Sequence, residues 1–203
     1  MRVELIGLTR YLRGLGTCEE LLTHAGRMCY RSKAIGGEGE FLSARVREGH
    51  ESLIEHASAS FEISGISRAC SHQLVRHRLA SISQESQRYV EMDTVEWVMP
   101  DSILENIEAN EWFFQAMHDA SEAYHMLRKS GIAKEDARFV LPNAALTRMV
   151  FTANFRELLH IFRLRISPQA QWEIRGVTKE MLKLVYPQAP SVFGDEYSRV
   201  FGV

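Results

Sequence analysis

The chain has no glycine-rich phosphate cradle. Neither a Gly-x-Gly-x-x-Gly turn nor a Gly-x-x-x-x-Gly-Lys-Ser/Thr loop occurs in its 203 residues, so a bound nucleotide must be gripped by side chains rather than by backbone amides at a helix start. Gly36-Gly37-Glu38-Gly39 reads as a flexible turn, because no strand precedes it and no Lys-Ser/Thr follows. Cysteine is scarce too. Cys18, Cys29 and Cys70 are odd in number and stand in neither a Cys-x-x-Cys nor a zinc-type spacing, which leaves reduced structural thiols rather than a disulfide framework. Met1 to Gly16 carries Arg2, Glu4, Arg10 and Arg13, too charged for the core of a signal peptide and too short to span a bilayer, so a cytoplasmic protein without membrane contact is expected. A formal charge of -2 argues against bulk nucleic-acid binding, which favours a markedly basic surface. No stretch reads as a separable linker, and 45% apolar content is enough for one well-buried domain over 1–203, or a tight two-lobed one.

What the chain does have is a polar stretch from Arg76 to Tyr89, with Arg76, His77, Arg78 and Arg88 interleaved with Ser81, Gln84 and Ser86. Such a segment buries little of itself, and guanidinium forks suit phosphate or the edge of a heterocycle. The alternative is a solvated basic loop. The surroundings read as a mount. Ala57 to Ser64 alternates, with Ala57, Ala59, Phe61 and Ile63 on one side, and predicts a half-buried strand ended by Gly65. Ile66, Ala69, Cys70 and Leu74 then repeat like a helix that delivers Gln73, Arg76 and His77 to its end.

A second constellation lies in the last third. Thr147, Met149 and Phe151 alternate as a strand, Asn154 with Glu157 reads as a helix cap, and Phe155, Leu158, Leu159, Phe162 and Ile166 form an apolar stripe. Arg156, His160 and Arg163 share the opposite face, while Arg165 falls at the stripe's margin, where a guanidinium needs an anion or a core carboxylate to meet it. Ser167-Pro168 predicts the start of a final helix running to about Tyr186, with Pro187 and Pro190 ending it. Elsewhere a strand is expected at Val3 to Leu8, a capping box at Thr17 and Glu20 opens a helix over 18–31, and a long amphipathic helix runs from Ile103 through Ile107, Phe114, Met117 and Tyr124 to Leu127. A shorter helix spans Lys134 to Leu141. His118, Glu122 and His125 share a face of the long helix and read as solvated; His50, Glu51, Glu55 and His56 lack the spacing of a metal site, so no metal is expected.

Arg76-His77-Arg78, seven residues, then Ser86-x-Arg88-Tyr89 resembles the signature of the flavin-dependent thymidylate synthases, and Gly49-His50-Glu51 with Glu55-His56 precedes it as in that family. Ala137-Arg138-Phe139-Val140-Leu141-Pro142, Asn154-x-Arg156, His160, Leu164-Arg165 and Gln169-Ala170-Gln171-Trp172-Glu173 resemble further family segments. The resemblance implies an α+β fold of mixed helices with a central, largely antiparallel sheet, and a homotetramer with FAD sites between subunits. It implies conversion of dUMP to dTMP with 5,10-methylenetetrahydrofolate and NADPH. Flavin contacts are then expected from Ser52, Arg76, His77, Arg78, Gln84, Asn154, Arg156 and His160, and nucleotide contacts from Gln73, Arg76, Gln84, Glu85, Ser86, Gln87, Arg88, Arg138 and Arg165. Arg165, Ser86 and His50 are the residues expected at the chemistry. Ser83 stands where the family often has asparagine, Gln84 where some members carry an acid, and His160 where others have asparagine.

Uracil C5 is a weak nucleophile, so such an enzyme adds a thiolate at C6 or stabilises negative charge on the N3-C2-O2 edge. No cysteine falls inside either constellation, which favours the second route with Arg165. Two other classes fit parts of the chain. Glu122-x-x-His125 and Glu157-x-x-His160 supply the two Glu-x-x-His pairs of a di-iron carboxylate bundle, and the arginine loop could serve a small RNA-binding module.

Overall fold

The computed structural model describes residues 1–30, 37–92 and 94–202. Gly36 of the glycine turn and residue 31, the expected end of the first helix, lie outside the described residues. Four strands, β1 (Arg2–Leu8), β2 (Ser58–Ser67), β3 (Ser81–Gln84) and β4 (Leu146–Asn154), form an antiparallel sheet in the order β1-β2-β4-β3. Alternation sets the register: Phe61 lies opposite Phe151 and Ile63 opposite Met149, all four buried, while Ser60 and Thr152 pair on the outer face through their hydroxyls at 2.7 Å. Gly65 does not end β2. It takes φ 66° at a bulge between Ser64 and Ile66, and the strand continues to Ser67; a Cβ there would lie 3.1 Å from the Met1 nitrogen, so the bulge needs glycine.

Helices cover the inner face. α1 (Cys18–Tyr30) starts with the expected capping box, Glu20 N–H donating to Thr17 Oγ1 at 3.1 Å and Thr17 N–H to Glu20 Oε2 at 2.9 Å. α2 (Glu38–Arg47) and a 3-10 turn (Glu51–His56) follow. α3 (Arg68–Leu74) leaves β2 directly, so Ile66 belongs to the strand. α7 (Phe155–Arg165) buries its expected stripe, with Phe155 and Phe162 packed edge-on against Phe193 at 5.0 and 5.9 Å between ring centres. α8 (Trp172–Val185) begins later than Ser167-Pro168 implied, because Gln171 Oε1 accepts from the Glu173 and Ile174 N–H groups and caps it there. Pro190 ends nothing. It opens α9 (Pro190–Phe201), where the missing N–H of proline costs no hydrogen bond.

The central helix is broken and its stripe is only partly covered. α4 (Asp101–Leu104) and α5 (Ile107–Lys129) are separated by Glu105 and Asn106, and the Asn106 side chain caps α5 by accepting from Ala109 N–H. Met117 and Tyr124 are buried, but Ile107 is 82% and Phe114 52% exposed. Periodicity reported α5 but ran α4 into it as one helix, and the burial differs because α5 packs in a satellite cluster with Val95 and Ala137 rather than on the main core. The helix expected over Lys134 to Leu141 is α6 (Lys134–Ala137) followed by a 3-10 turn (Arg138–Val140). Among the described residues no helix is long and apolar enough to cross a membrane.

One buried carboxylate fixes the α3 mount. Glu173 accepts from Ser67 N–H at 2.7 Å and Ser67 Oγ–H at 2.5 Å, while Ser67 Oγ accepts from Cys70 N–H at 3.0 Å and caps α3. Glu173→Gln keeps one acceptor and orphans a buried donor, so a loss of about 1–2 kcal/mol is expected in urea unfolding.

Candidate functional site

α3 delivers its C-terminal end to a turn in which side chains sort by environment. Arg76 and Arg78 are exposed and, among the described residues, neither has a partner, whereas His77 points inward and is 5% exposed. A cation pair left unpaired on a rigid turn is available to an anionic ligand.

Across from this turn, α7 presents Arg156, His160 and Arg163 on its outer face as expected. They line an open cleft of about 590 Å³ with Glu51, Glu55 and Leu79. Arg163 Nη1 meets Glu51 Oε1 at 2.8 Å, and Arg156 pairs with Glu55 through Nη1 and lies 3.6 Å from Glu51 through Nε. Asn154 lines the cleft too, with Oδ1 accepting from Glu157 N–H at 2.9 Å, so its amide N–H₂ remains the group it can offer. Ser52 is exposed in the 3-10 turn that carries the two glutamates, and His50, just before that turn, has Nε2 3.7 Å from Glu48 Oε2.

The two distant constellations meet at His77. Arg165 Nε donates to His77 Nε2 at 3.0 Å and Arg165 Nη2 to the Gln73 carbonyl at 3.3 Å, so its partners are a ring and a backbone oxygen rather than the core carboxylate that burial alone would call for. His77 Nδ1 lies 3.4 Å from Glu157 Oε1, and the His77 and His160 rings meet edge-on at 6.1 Å. Burial, with Arg165 and His160 close by, pushes the His77 pKa down to about 4, so the ring is neutral at ordinary pH.

At the other end of α3, Arg88 pairs with Glu135 (Nη2 to Oε2, 2.9 Å) and Arg138 Nε donates to the Glu135 carbonyl at 3.1 Å. Ser86 Oγ accepts from Arg88 N–H at 3.3 Å, and Gln84 Nε2 donates to Ser71 Oγ and Thr147 Oγ1 at 2.9 and 3.1 Å, tying the signature loop to α3 and β4. Glu85 turns to Arg148 at 2.7 Å beside a smaller hollow of about 300 Å³, while Gln87 is half-buried. Arg68 stands out, although neither constellation contains it. Burial and the adjacent Arg138 guanidinium push its pKa down, and among the described residues neither arginine is paired with a carboxylate. A cation in the first turn of a helix opposes the helix dipole, and that was its legible signal.

Burial pushes the Cys70 pKa up to about 12 and the Cys18 pKa to about 11, so the thiol nearest Arg165 is held protonated. All three thiols are free and Cys29 alone is exposed. Titration of the native protein with an aromatic disulfide is expected to report one reactive thiol per chain, and three after denaturation.

A family model described as thymidylate synthase complementing protein matches residues 12–191. A flavin-dependent thymidylate synthase of Geobacter sulfurreducens is 47% identical, across 87% of this chain and 81% of the relative. The chain belongs to the flavin-dependent thymidylate synthase family. A second flavin-dependent thymidylate synthase, from Nitratidesulfovibrio vulgaris, is 43% identical across 85% of this chain and 80% of its own. The crystal structure of thymidylate synthase X from Helicobacter pylori, described with FAD and dUMP, superimposes with a TM-score of 0.80 over 97% of this chain and 99% of that one. At 24% identity it shows the fold alone, and that fold is the α+β arrangement expected of a flavin-dependent thymidylate synthase. Membership of this family displaces the di-iron reading, and the geometry agrees. Glu157 is turned to buried His77, while His118, Asp119 and Glu122 form an exposed group on α5, packed in the satellite cluster.

Proposed function

We propose that the chain is a cytoplasmic flavin-dependent thymidylate synthase that methylates dUMP reductively to dTMP, with residues 1–203 working as one domain. The observation that carries this is the hydrogen bond from Arg165 to His77, which joins two segments 88 residues apart beside unpaired Arg76 and Arg78. Bound FAD would supply the two-electron redox chemistry, with NADPH as reductant and 5,10-methylenetetrahydrofolate as methylene donor, so that tetrahydrofolate leaves. The residues fit such a cofactor. The cleft of about 590 Å³ lies within the range of ligand sites, and the free guanidiniums of Arg76 and Arg78 match a diphosphate. Ser52, Gln84, Asn154, Arg156 and His160 are the further flavin contacts, while His77, with both nitrogens engaged, offers only its ring edge. Arg76 and Arg78, unpaired on an exposed turn, can be reached by neighbouring copies, which supports a homotetramer whose copies complete the site. Ile107, Trp112 and Phe114, exposed on α5, give those copies an apolar surface to cover.

The nucleotide is assigned to α3 and the signature loop. At about 1.5 Å per residue, Arg68 and Gln73 sit roughly 7–8 Å apart along the helix, a span suited to the phosphate and base of one mononucleotide. Arg68, Arg88 and Arg138 then take the phosphate, and Gln84 to Arg88 the sugar and backbone, with Ser86 an orienting hydroxyl. Arg165 holds and polarises the pyrimidine beside Gln73 and Arg76, and His50 lies at the approach. Free thiols in all three cysteines support the reducing cytoplasm. The absorption spectrum of the isolated protein tests the proposal: a flavin band that bleaches with NADPH, with release of tritium from [5-³H]dUMP, is expected. A colourless protein that takes up no FAD overturns it.

A further inference from the structure

Glu157 is odd for a core position. It sits in the first turn of α7, 8% exposed, among Phe155, Leu158 and Leu159, and among the described residues its carboxylate meets only His77. A buried ion pair adds little to stability, and apolar residues of similar volume often serve the fold as well or better. The carboxylate therefore asks for a reason beyond packing, and the direction of the hydrogen bond between Arg165 and His77 supplies one.

Arg165 can only donate. With Arg165 Nε–H directed at His77 Nε2 at 3.0 Å, that nitrogen must be bare, and the proton of the neutral ring must sit on Nδ1, 3.4 Å from Glu157 Oε1. We infer that Glu157 is a positioning residue: its carboxylate holds His77 in the Nδ1–H tautomer, which leaves Nε2 as the acceptor that fixes the Arg165 guanidinium. The opposite tautomer would aim an N–H at a guanidinium N–H and release Arg165 from that side. Of the five N–H groups of Arg165, one then goes to His77 and one to Gln73 O, and the other three stay aimed away from both. The titratable and charged groups that face the ring are Glu157, His160 and Arg165. The low His77 pKa agrees, since burial and the neighbouring Arg165 both disfavour a charged ring.

The assignment of Arg165 to the pyrimidine rests on the proposed function, but the tautomer does not. Nitrogen-15 spectra of histidine-labelled protein at neutral pH, without ligand, are expected to show His77 with Nδ1 protonated and Nε2 bare. In Glu157→Leu the ring is expected to shift towards the Nε2–H form. Measured on FAD-saturated protein, because Glu157 also lines the cleft, the kcat/KM for dUMP should fall about 10–100-fold, the scale on which removing an orienting partner acts. Glu157→Gln, which keeps an oxygen acceptor, is expected to restore the Nδ1–H form and most of the lost rate. An Nε2–H ring in the wild type, or a Glu157→Leu protein with the wild-type tautomer and dUMP kinetics, overturns the inference. Should Glu157→Leu not fold, Glu157→Met is read in its place with the same expected shift towards Nε2–H, and an unchanged tautomer and dUMP rate there overturns the inference equally. A wild-type protein that binds neither FAD nor dUMP would sink the functional reading and leave the tautomer result standing.

Discussion

Arg165→Lys is expected to lower kcat/KM for dUMP about 10²–10³-fold, the range for removing one aligned donor from developing negative charge. Lysine keeps the charge, so a loss of that size separates fork geometry from mere positive potential. The guanidinium donates through Nε to His77 and through Nη2 to Gln73 O while other N–H groups stay free; an ammonium has a single nitrogen and cannot hold two anchors and present a flat edge to a pyrimidine. The loss should appear in kcat as well as KM, because charge on the N3-C2-O2 edge grows towards the transition state. Flavin content should hold, since the cleft lined by Arg156 and His160 draws nothing from Arg165. Steady-state rates with a spectrum of the variant check both arms; a change in KM alone would reduce Arg165 to a binding group.

How far such residues were legible depended on where their partners came from. Strands β2 and β4 could be read because period-two burial is local, and Phe61 opposite Phe151 merely completes what each strand declares separately. Arg156, His160 and Arg163 could be placed on one face from helix geometry alone. The ends of elements were harder. Gly65 looked like a stop because glycine usually punctuates, yet here it serves a bulge, and Pro190 looked like a terminator when it opens α9. Tertiary packing decided both. Exposed Ile107 and Phe114 carry the same lesson: periodicity states which residues share a face, never what covers it. Arg165 reads as a guanidinium in need of an anion or a carboxylate. No spacing rule foretells that a histidine 88 residues earlier supplies the acceptor, or that Glu157 stands behind it.

Acid should unfold this protein partly through His77. The folded pKa is depressed, to about 4 against 6.5 for the free side chain, by burial and by the neighbouring Arg165 and His160. Between those values the unfolded chain binds a proton that the folded chain refuses, so stability falls as pH falls. The contribution is complete above about pH 7, drains away as pH drops from 6.5 towards 4, and changes no further once both states are protonated. By about pH 4.5 the loss should be about 2–3 kcal/mol. His77→Gln removes the titrating ring, so the difference in urea midpoint between pH 7 and pH 4.5 should be smaller in the variant by that amount, whatever its stability at neutral pH. Parallel pH dependences in the two proteins would mean that His77 takes up its proton as readily folded as unfolded. In that case His77 would lose its bare nitrogen, and Arg165 its acceptor, already near pH 6.5 rather than near pH 4, because the charged imidazole has no bare nitrogen to receive the guanidinium.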